Sequence, residues 1–246
     1  MPQFFIGSSF IKNGQARITG ADARHISKVL RLKKGDWLIL SDGKGGRWRG
    51  EIISSAPKEV SLRIDALEPL SSPGKKIRLC QALIKHDRFE WVIQKSVELG
   101  CSEIQPFYSE RTIPKFSTGK TIRWQKIANE AAKQCGAVVI PVVKEPVRFI
   151  DMIRESKGPG RRALLFYEGE DKAGINKMTF GDDEEWLELI IGPEGGFAPG
   201  EIKAAKDSGV AVCSLGPLIL RVETASLAAL TLAQNRLGYF DPRSKP

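Results

Sequence analysis

The stretch Leu189-Ile190-Ile191-Gly192-Pro193-Glu194-Gly195-Gly196-Phe197 is an apolar run that stops in a turn of glycine, proline and one acid. Leu189 to Ile191 read as the end of a fully buried strand, and the glycines allow bare peptide groups to lie against a bound molecule. Val210-Ala211-Val212-Cys213-Ser214-Leu215 repeats the pattern: it ends in Gly216-Pro217, and Leu218-Ile219-Leu220-Arg221-Val222-Glu223-Thr224-Ala225 leads into a long Ala/Leu helix. Two apolar loops leaving neighbouring strand ends suit a ligand site. The first loop alone also fits an ordinary strand-to-helix connection, a reading that the second loop weakens. A phosphate cradle is disfavoured because Glu194 would repel an anion, and neither G-x-G-x-x-G nor G-x-x-x-x-G-K-[ST] occurs.

Such loops need a sheet beneath them. Beyond Lys75 the pattern alternates: strand Ile77 to Ala82, helix Phe89 to Leu99, strand Ile104 to Phe107, helix Thr121 to Cys135, then strands Ala163 to Phe166 and Trp186 to Ile191. Alternation predicts an α/β domain with a parallel sheet, whose ligands sit outside the carboxyl ends of the strands. Phe166-Tyr167-Glu168-Gly169 is a third loop candidate there. The last helix, Glu223 to Leu237, sets Ala225, Ala228, Ala229 and Ala233 along one side, which suits packing on the sheet or against a second copy. Before Pro69-Leu70-Ser71-Ser72-Pro73-Gly74, a turn-rich linker, short strands predominate: Phe4 to Ile6, Ala16 to Ile18, Trp37 to Ser41, Arg47 to Ser54 and Val60 to Glu68, with one helix at Ala21 to Leu30. These predict a small barrel, in which Asp42-Gly43-Lys44-Gly45-Gly46 is a hairpin loop.

Composition narrows the function classes. In 246 residues, 41% hydrophobic and 27% charged is ordinary for a globular protein. The net charge of +9 is uneven, with 12 Lys/Arg against 7 Asp/Glu in residues 1 to 73 and 26 against 22 in the rest. That bias suits a polyanion-docking module, and equally a basic surface that serves solubility. Arg24, Lys28, Arg31, Lys33 and Lys34 are its densest patch, with Arg47 and Arg49 on a nearby strand, and Lys85-His86-Asp87-Arg88 is a second candidate. Cys80, Cys101, Cys135 and Cys213 form no C-x-x-C pair and read as buried thiols, so no metal site is expected. Two histidines and no G-x-S-x-G elbow argue against hydrolase triads. With no signal peptide or bilayer-length apolar run, a cytoplasmic protein without a membrane partner is expected.

Taken together, Ile191 to Phe197 and Leu215 to Ala225 resemble the closing motifs of the RsmE-type ribosomal RNA uridine N3-methyltransferases, a branch of the SPOUT superfamily. His25-Ile26-Ser27-Lys28-Val29-Leu30-Arg31-Leu32, Gln94-Lys95-Ser96-Val97-Glu98-Leu99-Gly100, Arg123-Trp124-Gln125-Lys126-Ile127 and Glu130-Ala131-Ala132-Lys133-Gln134-Cys135-Gly136 are similar too, in the same order over nearly the whole chain. Gln3 and Ala137 depart from the family, which usually has basic residues there.

The resemblance implies a PUA-like β-barrel RNA-binding domain at residues 1–70 and a SPOUT methyltransferase domain at 74–246 with a C-terminal trefoil knot. It implies S-adenosylmethionine as methyl donor, a uridine N3 of 16S rRNA in the small ribosomal subunit as acceptor, and a homodimer. Phe166, Tyr167, Glu168, Ile191, Gly192, Pro193, Glu194, Gly195, Gly196, Leu215, Gly216, Leu218, Ile219, Leu220, Arg221, Thr224 and Ala225 would then hold the donor. Arg221 would stabilise charge on the uracil carbonyl and Glu223 would accept its proton, although Glu223 and Thr224 also fit a helix start, as first-turn acid and cap. Arg24, Lys28, Arg31, Lys33, Lys85 and Arg88 would meet RNA. The rival readings are a SPOUT enzyme acting on ribose 2′-oxygen or on tRNA, and a non-catalytic RNA-binding protein of ribosome assembly.

Overall fold

Alternating apolar residues build the N-terminal sheet. In the computed structural model, which describes residues 1–66, 74–113, 119–171 and 173–240, Ala16 and Ile18 of β3 (Gln15–Thr19) face inward opposite Leu62 and Val60 of β6 (Glu59–Ala66). With β1 (Gln3–Phe5), β2 (Ile11–Lys12), β4 (Trp37–Ser41) and β5 (Arg47–Ser55), they form a six-stranded sheet in the order β1-β4-β5-β6-β3-β2. The pairing path is open, ending at β1 and β2, where the sequence suggested a barrel. Yet Phe4 near one edge and Ile11 near the other join the same core as Leu38, Leu40, Ile52 and Ile64, so the sheet curls around it. Gly50 in β5 lets Leu62 pack close to the backbone, because a Cβ there would lie 2.9 Å from Leu62 Cδ2 and force that side chain to shift.

The helix expected over Ala21 to Leu30 is α1 (Gly20–Arg24) followed by a π-turn, His25–Val29, and Arg31 then takes the left-handed φ of 54°. The Asp42 loop is a hairpin turn whose Oδ1 accepts from the amides of Lys44 and Gly46, each at 2.8 Å. This first unit, Met1–Ser71, also takes in Ala132–Ile140. Within it, the two departures from the family pattern meet: Gln3 Nε2 donates to the Ala137 carbonyl at 2.7 Å. Of the linker named from the sequence, Pro69 to Pro73 lie outside the described residues, as do Leu67 and Glu68 at the end of the expected last strand.

The second unit, Ser72–Ala131 with Pro141–Pro246, is α/β. Its strands are β7 (Lys76–Ala82), β8 (Glu103–Tyr108), β9 (Val142–Val143), β10 (Val147–Arg148), β11 (Arg161–Phe166), β12 (Trp186–Ile191) and β13 (Ala211–Cys213). All pairings are parallel, in the order β10-β8-β7-β12-β11-β13, with β9 also on β8. The strands that precede the two Gly-Pro loops are therefore not neighbours, since β11 lies between β12 and β13. Periodicity identifies a strand but not its place in a sheet.

Helices cover both faces. On one, α4 (Phe149–Glu155) and α5 (Pro199–Asp207), neither anticipated, contribute to a core with Cys80, Ala82, Phe107, Leu165 and Ile190. On the other, α2 (His86–Glu98) and α6 (Val222–Arg236) pack together, and α6 lies on β7 and β12. Buried Phe89, Val92, Ile93, Ser96 and Val97 give α2 its inward stripe. In α6 the inward residues include Ser226, Ala229, Leu230 and Ala233. The remaining helix, α3 (Lys120–Cys135), buries Trp124 against Phe89, with ring centroids 4.6 Å apart. Cys80, Cys101 and Cys213 are buried, but Cys135, at the end of α3, is exposed, contrary to its sequence reading. A helix presents one face to solvent whatever the polarity of neighbours in sequence.

Near the amino ends of the strands, below α4, Arg78 is 2% exposed and pairs with Glu188 (3.2 Å), Glu103 (2.6 Å) and Glu155 (3.2 Å). Ser156 and Arg161 also bond Glu188, which is fully buried.

Candidate functional site

β11, β12 and β13 end in register, with Phe166 paired to both Ile191 and Cys213. Their three following loops consequently leave one edge side by side. Between them lies a cavity of about 480 Å³, within the range of small-molecule sites, roughly 300–1,000 Å³. Phe166, Tyr167 and Glu168 line it from the first loop, Ile191 to Glu194 and Gly196 from the second, and Leu215, Gly216, Leu218 to Arg221 and Ala225 from the third. The intervening strand thus supplies the middle loop of three.

Local geometry explains the glycines. Gly196 has the left-handed φ of 67° that favours glycine, and a Cβ there would lie 2.6 Å from Oε1 at the tip of the exposed Glu168 side chain, which would have to swing away. At Gly192 a Cβ would stand 2.9 Å from the Phe197 ring, itself buried against Phe107 and Phe149. Gly216, with φ 119°, leaves its Cβ position open, with no atom of the described residues other than its chain neighbours within 4 Å. Two predicted residues fall outside the cavity lining: Gly195, which faces Arg111, and Thr224. Nor does Thr224 cap its helix, because α6 begins at Val222 and Arg221 holds the N-cap position.

Four lining residues were not assigned to the cavity from the sequence: Arg88, Phe197, Ser214 and Val222. Phe197 carried a signal, since it ends the quoted loop motif, whereas Arg88 carried none, being more than 70 residues from every loop. Arg88 comes from the first turn of α2, and its Nε lies 3.6 Å from Glu223 Oε1. Glu223 Oε2 is buried and has no hydrogen-bond partner among the described residues. Arg221 is exposed and lines the cavity; Glu223, two residues on, is half-buried and is not among the lining residues. Lys85 is exposed just before α2 and is not among the lining residues.

Arg24, Lys28, Arg31 and Lys33 belong to the first unit and are all exposed, while Ala23, just before them, and Ile26, between Arg24 and Lys28, are buried in its core. They make one basic face along α1, the π-turn and the loop beyond it. Arg49 instead stacks on Trp37, 4.1 Å from the ring centroid. Burial raises the Cys213 thiol, on the strand before the third loop, to about 11, leaving it a poor nucleophile. Among the described residues no group of His, Cys, Asp and Glu is arranged to hold a metal ion, and no helix is long and apolar enough to cross a membrane.

Residues 71–234 match the family model of the RNA methyltransferase domain, which spans two thirds of the chain and all three loops. The chain belongs to this RNA methyltransferase family. Residues 18–65 match a second model, the RNA methyltransferase PUA domain. Among curated relatives in the family, the ribosomal RNA small subunit methyltransferase E of Synechocystis sp. is 35% identical over 87% of this chain and 70% of its own length. The Bacillus subtilis protein of the same name is 31% identical over 87% of both chains. The ribosomal RNA small subunit methyltransferase E of Neisseria gonorrhoeae, solved bound to S-adenosyl methionine, superposes with a TM-score of 0.84 at 28% identity, covering 96% of this chain and 98% of that one.

Proposed function

We propose that this member of the family is an S-adenosylmethionine-dependent methyltransferase acting on N3 of a uridine in 16S rRNA of the small ribosomal subunit. The observation that carries this reading is the convergence of three separate loops, at 166–168, 191–196 and 215–221, on one cavity. The named relatives support the rRNA substrate, and the ligand of the Neisseria protein supports the donor.

The cavity suits that donor. Its volume is adequate, the open Cβ position of Gly216 leaves backbone free for an adenine, and the exposed carboxylates of Glu168 and Glu194 suit a ligand with a sulfonium and an ammonium group. The bound donor supplies an electrophilic methyl group; the residues must align the acceptor, exclude water and take a proton from uracil N3, which ionises little at neutral pH. In this reading Arg221, at the rim, faces the uracil carbonyl and stabilises its negative charge. Glu223 accepts the proton, with Arg88 holding its other oxygen in place.

The wider proposal assigns RNA docking chiefly to a PUA-like domain at 1–70, through phosphate contacts of Arg24, Lys28, Arg31 and Lys33, and catalysis to 74–246, where Lys85 and Arg88 at the start of α2 are further candidates to meet RNA beside the cavity. Such contacts set register while the target uridine is unstacked into the site. It also includes a trefoil knot, supported by the path of the chain from edge strand β13 back to α6 on the central strands β7 and β12. A homodimer is supported by the exposure of Leu218 (76%) and Ile219 (86%) on the third loop. The cytoplasm is the proposed compartment.

Mass spectrometry of nucleosides after incubation with labelled donor tests the function. N3-methyluridine in 16S rRNA is the expected product. Label on a ribose oxygen or in tRNA would replace the assigned acceptor, and an absence of both donor binding and label would indicate a non-catalytic RNA-binding protein.

A further inference from the structure

The loop from Pro193 to Ala198 is tied to a strand that is not its neighbour. β7 separates β8 from β12, yet the turn after β8, Ser109 to Thr112, reaches the loop that follows β12. Glu201, 8% exposed in the first turn of α5, is the junction. Its Oε2 accepts from Ser109 Oγ and from the Ala198 amide, both at 2.9 Å, and its Oε1 accepts from the Glu110 amide at 3.0 Å. One residue further, Arg111 Nη1 donates to the Gly195 carbonyl at 2.9 Å. The turn is closed on itself by Ser109 N to Thr112 Oγ1, at 2.9 Å.

Capping α5 accounts for only one of these bonds. The helix starts at an alanine N-cap that has no side-chain oxygen, so Glu201 returning to the Ala198 amide satisfies an orphan donor, helped by the helix dipole. The bonds to Ser109 and Glu110 reach outside the helix. A carboxylate is needed because both backbone partners are donors approaching different oxygens; glutamine would turn an N–H2 toward one of them.

We propose that Glu201 and Arg111 are positioning residues for the methyl-donor loop, Glu201 by fixing Ala198 to the turn after β8 and Arg111 by fixing the Gly195 carbonyl. This rests on the reading of Gly192 to Gly196 as the donor loop. Without the ties the loop spends time in other shapes, and apparent affinity falls in proportion to the competent fraction; a fraction of about one tenth means a tenfold weaker Kd. The effect should fall on donor binding, with turnover recovering at saturating donor.

Calorimetry with S-adenosylmethionine on the full-length chain, paired with methyl-transfer kinetics, is the test. Arg111→Ala and Glu201→Gln should each raise the donor Kd about tenfold, raise KM for the donor in parallel, and leave kcat and the affinity for an rRNA fragment near wild type. Arg111→Lys, which keeps a donor for the Gly195 carbonyl, should restore part of the loss. Arg111 is exposed, so its variants remain decisive if Glu201→Gln does not fold. Folded variants with wild-type donor affinity, even if less heat-stable, would overturn the assignment. A wild-type chain unable to bind the donor would instead refute the cofactor reading, and this inference with it.

Discussion

Arg88 Nε stands 3.6 Å from Glu223 Oε1, so an ion pair joins the first turn of α2 to the first turn of α6 beside the cavity. Arg88 was assigned to RNA on sequence and Glu223 to proton transfer; the fold makes them partners. If they act as one unit, Arg88→Ala should slow single-turnover methyl transfer in wild-type protein and do little in a Glu223→Gln background. Glu223→Gln itself should cost roughly a hundredfold, the usual scale for a positioned acid-base group. Raising pH should partly rescue Glu223→Gln, because more uracil ionises unaided. Near wild-type rates with reduced thermal stability would make Glu223 a structural first-turn acid.

Gly196 and Gly195 should behave differently. Gly196→Val meets both a left-handed φ of 67° and a Cβ 2.6 Å from Glu168 Oε1, and should abolish donor binding. Gly195 has neither constraint, since its Cβ would lie at 3.4 Å from Arg111 Cβ, and Gly195→Val should weaken binding less. Calorimetry on the two variants reads the contrast; equal losses would contradict it.

The basic face of the first unit should govern salt dependence. Replacing Arg24, Lys28 and Arg31 with alanine should weaken RNA binding and flatten its log–log salt slope by about one per lost phosphate contact. Donor affinity should not change. An unaltered slope would remove this face from the RNA footprint.

Arg78 should matter for stability alone. Arg78→Ala would strand the fully buried Glu188 with less compensation, and breaking a buried pair costs about 3–5 kcal/mol. Denaturant unfolding should show this large loss, while the donor Kd at a temperature where the variant is folded stays at its wild-type value.

Thiol chemistry gives an independent check of burial. Burial raises Cys101 to about 12 and Cys213 to about 11, whereas Cys135 is exposed. An alkylating reagent at pH 8 should therefore label Cys135 first. Thiols raised in the folded state stabilise it fully below their ordinary value near 9, and that contribution is lost as pH rises toward 11 to 12. Cys101→Ala should make the alkaline fall in stability shallower.

Local chemistry in the sequence determined the α/β pattern of the second unit, the strand ends at Phe166 and Ile191, and the glycine loops, whereas the run read through Leu215 stops as a strand at Cys213. Each of these is set by a few consecutive residues: apolar runs that suit buried strands, and glycines where side chains would collide or φ turns positive. Only the tertiary structure placed β11 between β12 and β13, moved Arg88 to Glu223, and brought Glu201 and Arg111 to the second loop. These depend on which strands pair and in what order, and strand pairing is decided by long-range burial and hydrogen bonding that no window of neighbouring residues contains. The same holds for Gly195 and Thr224: the motif carries their identity, but the direction each faces comes from the turn of the folded chain.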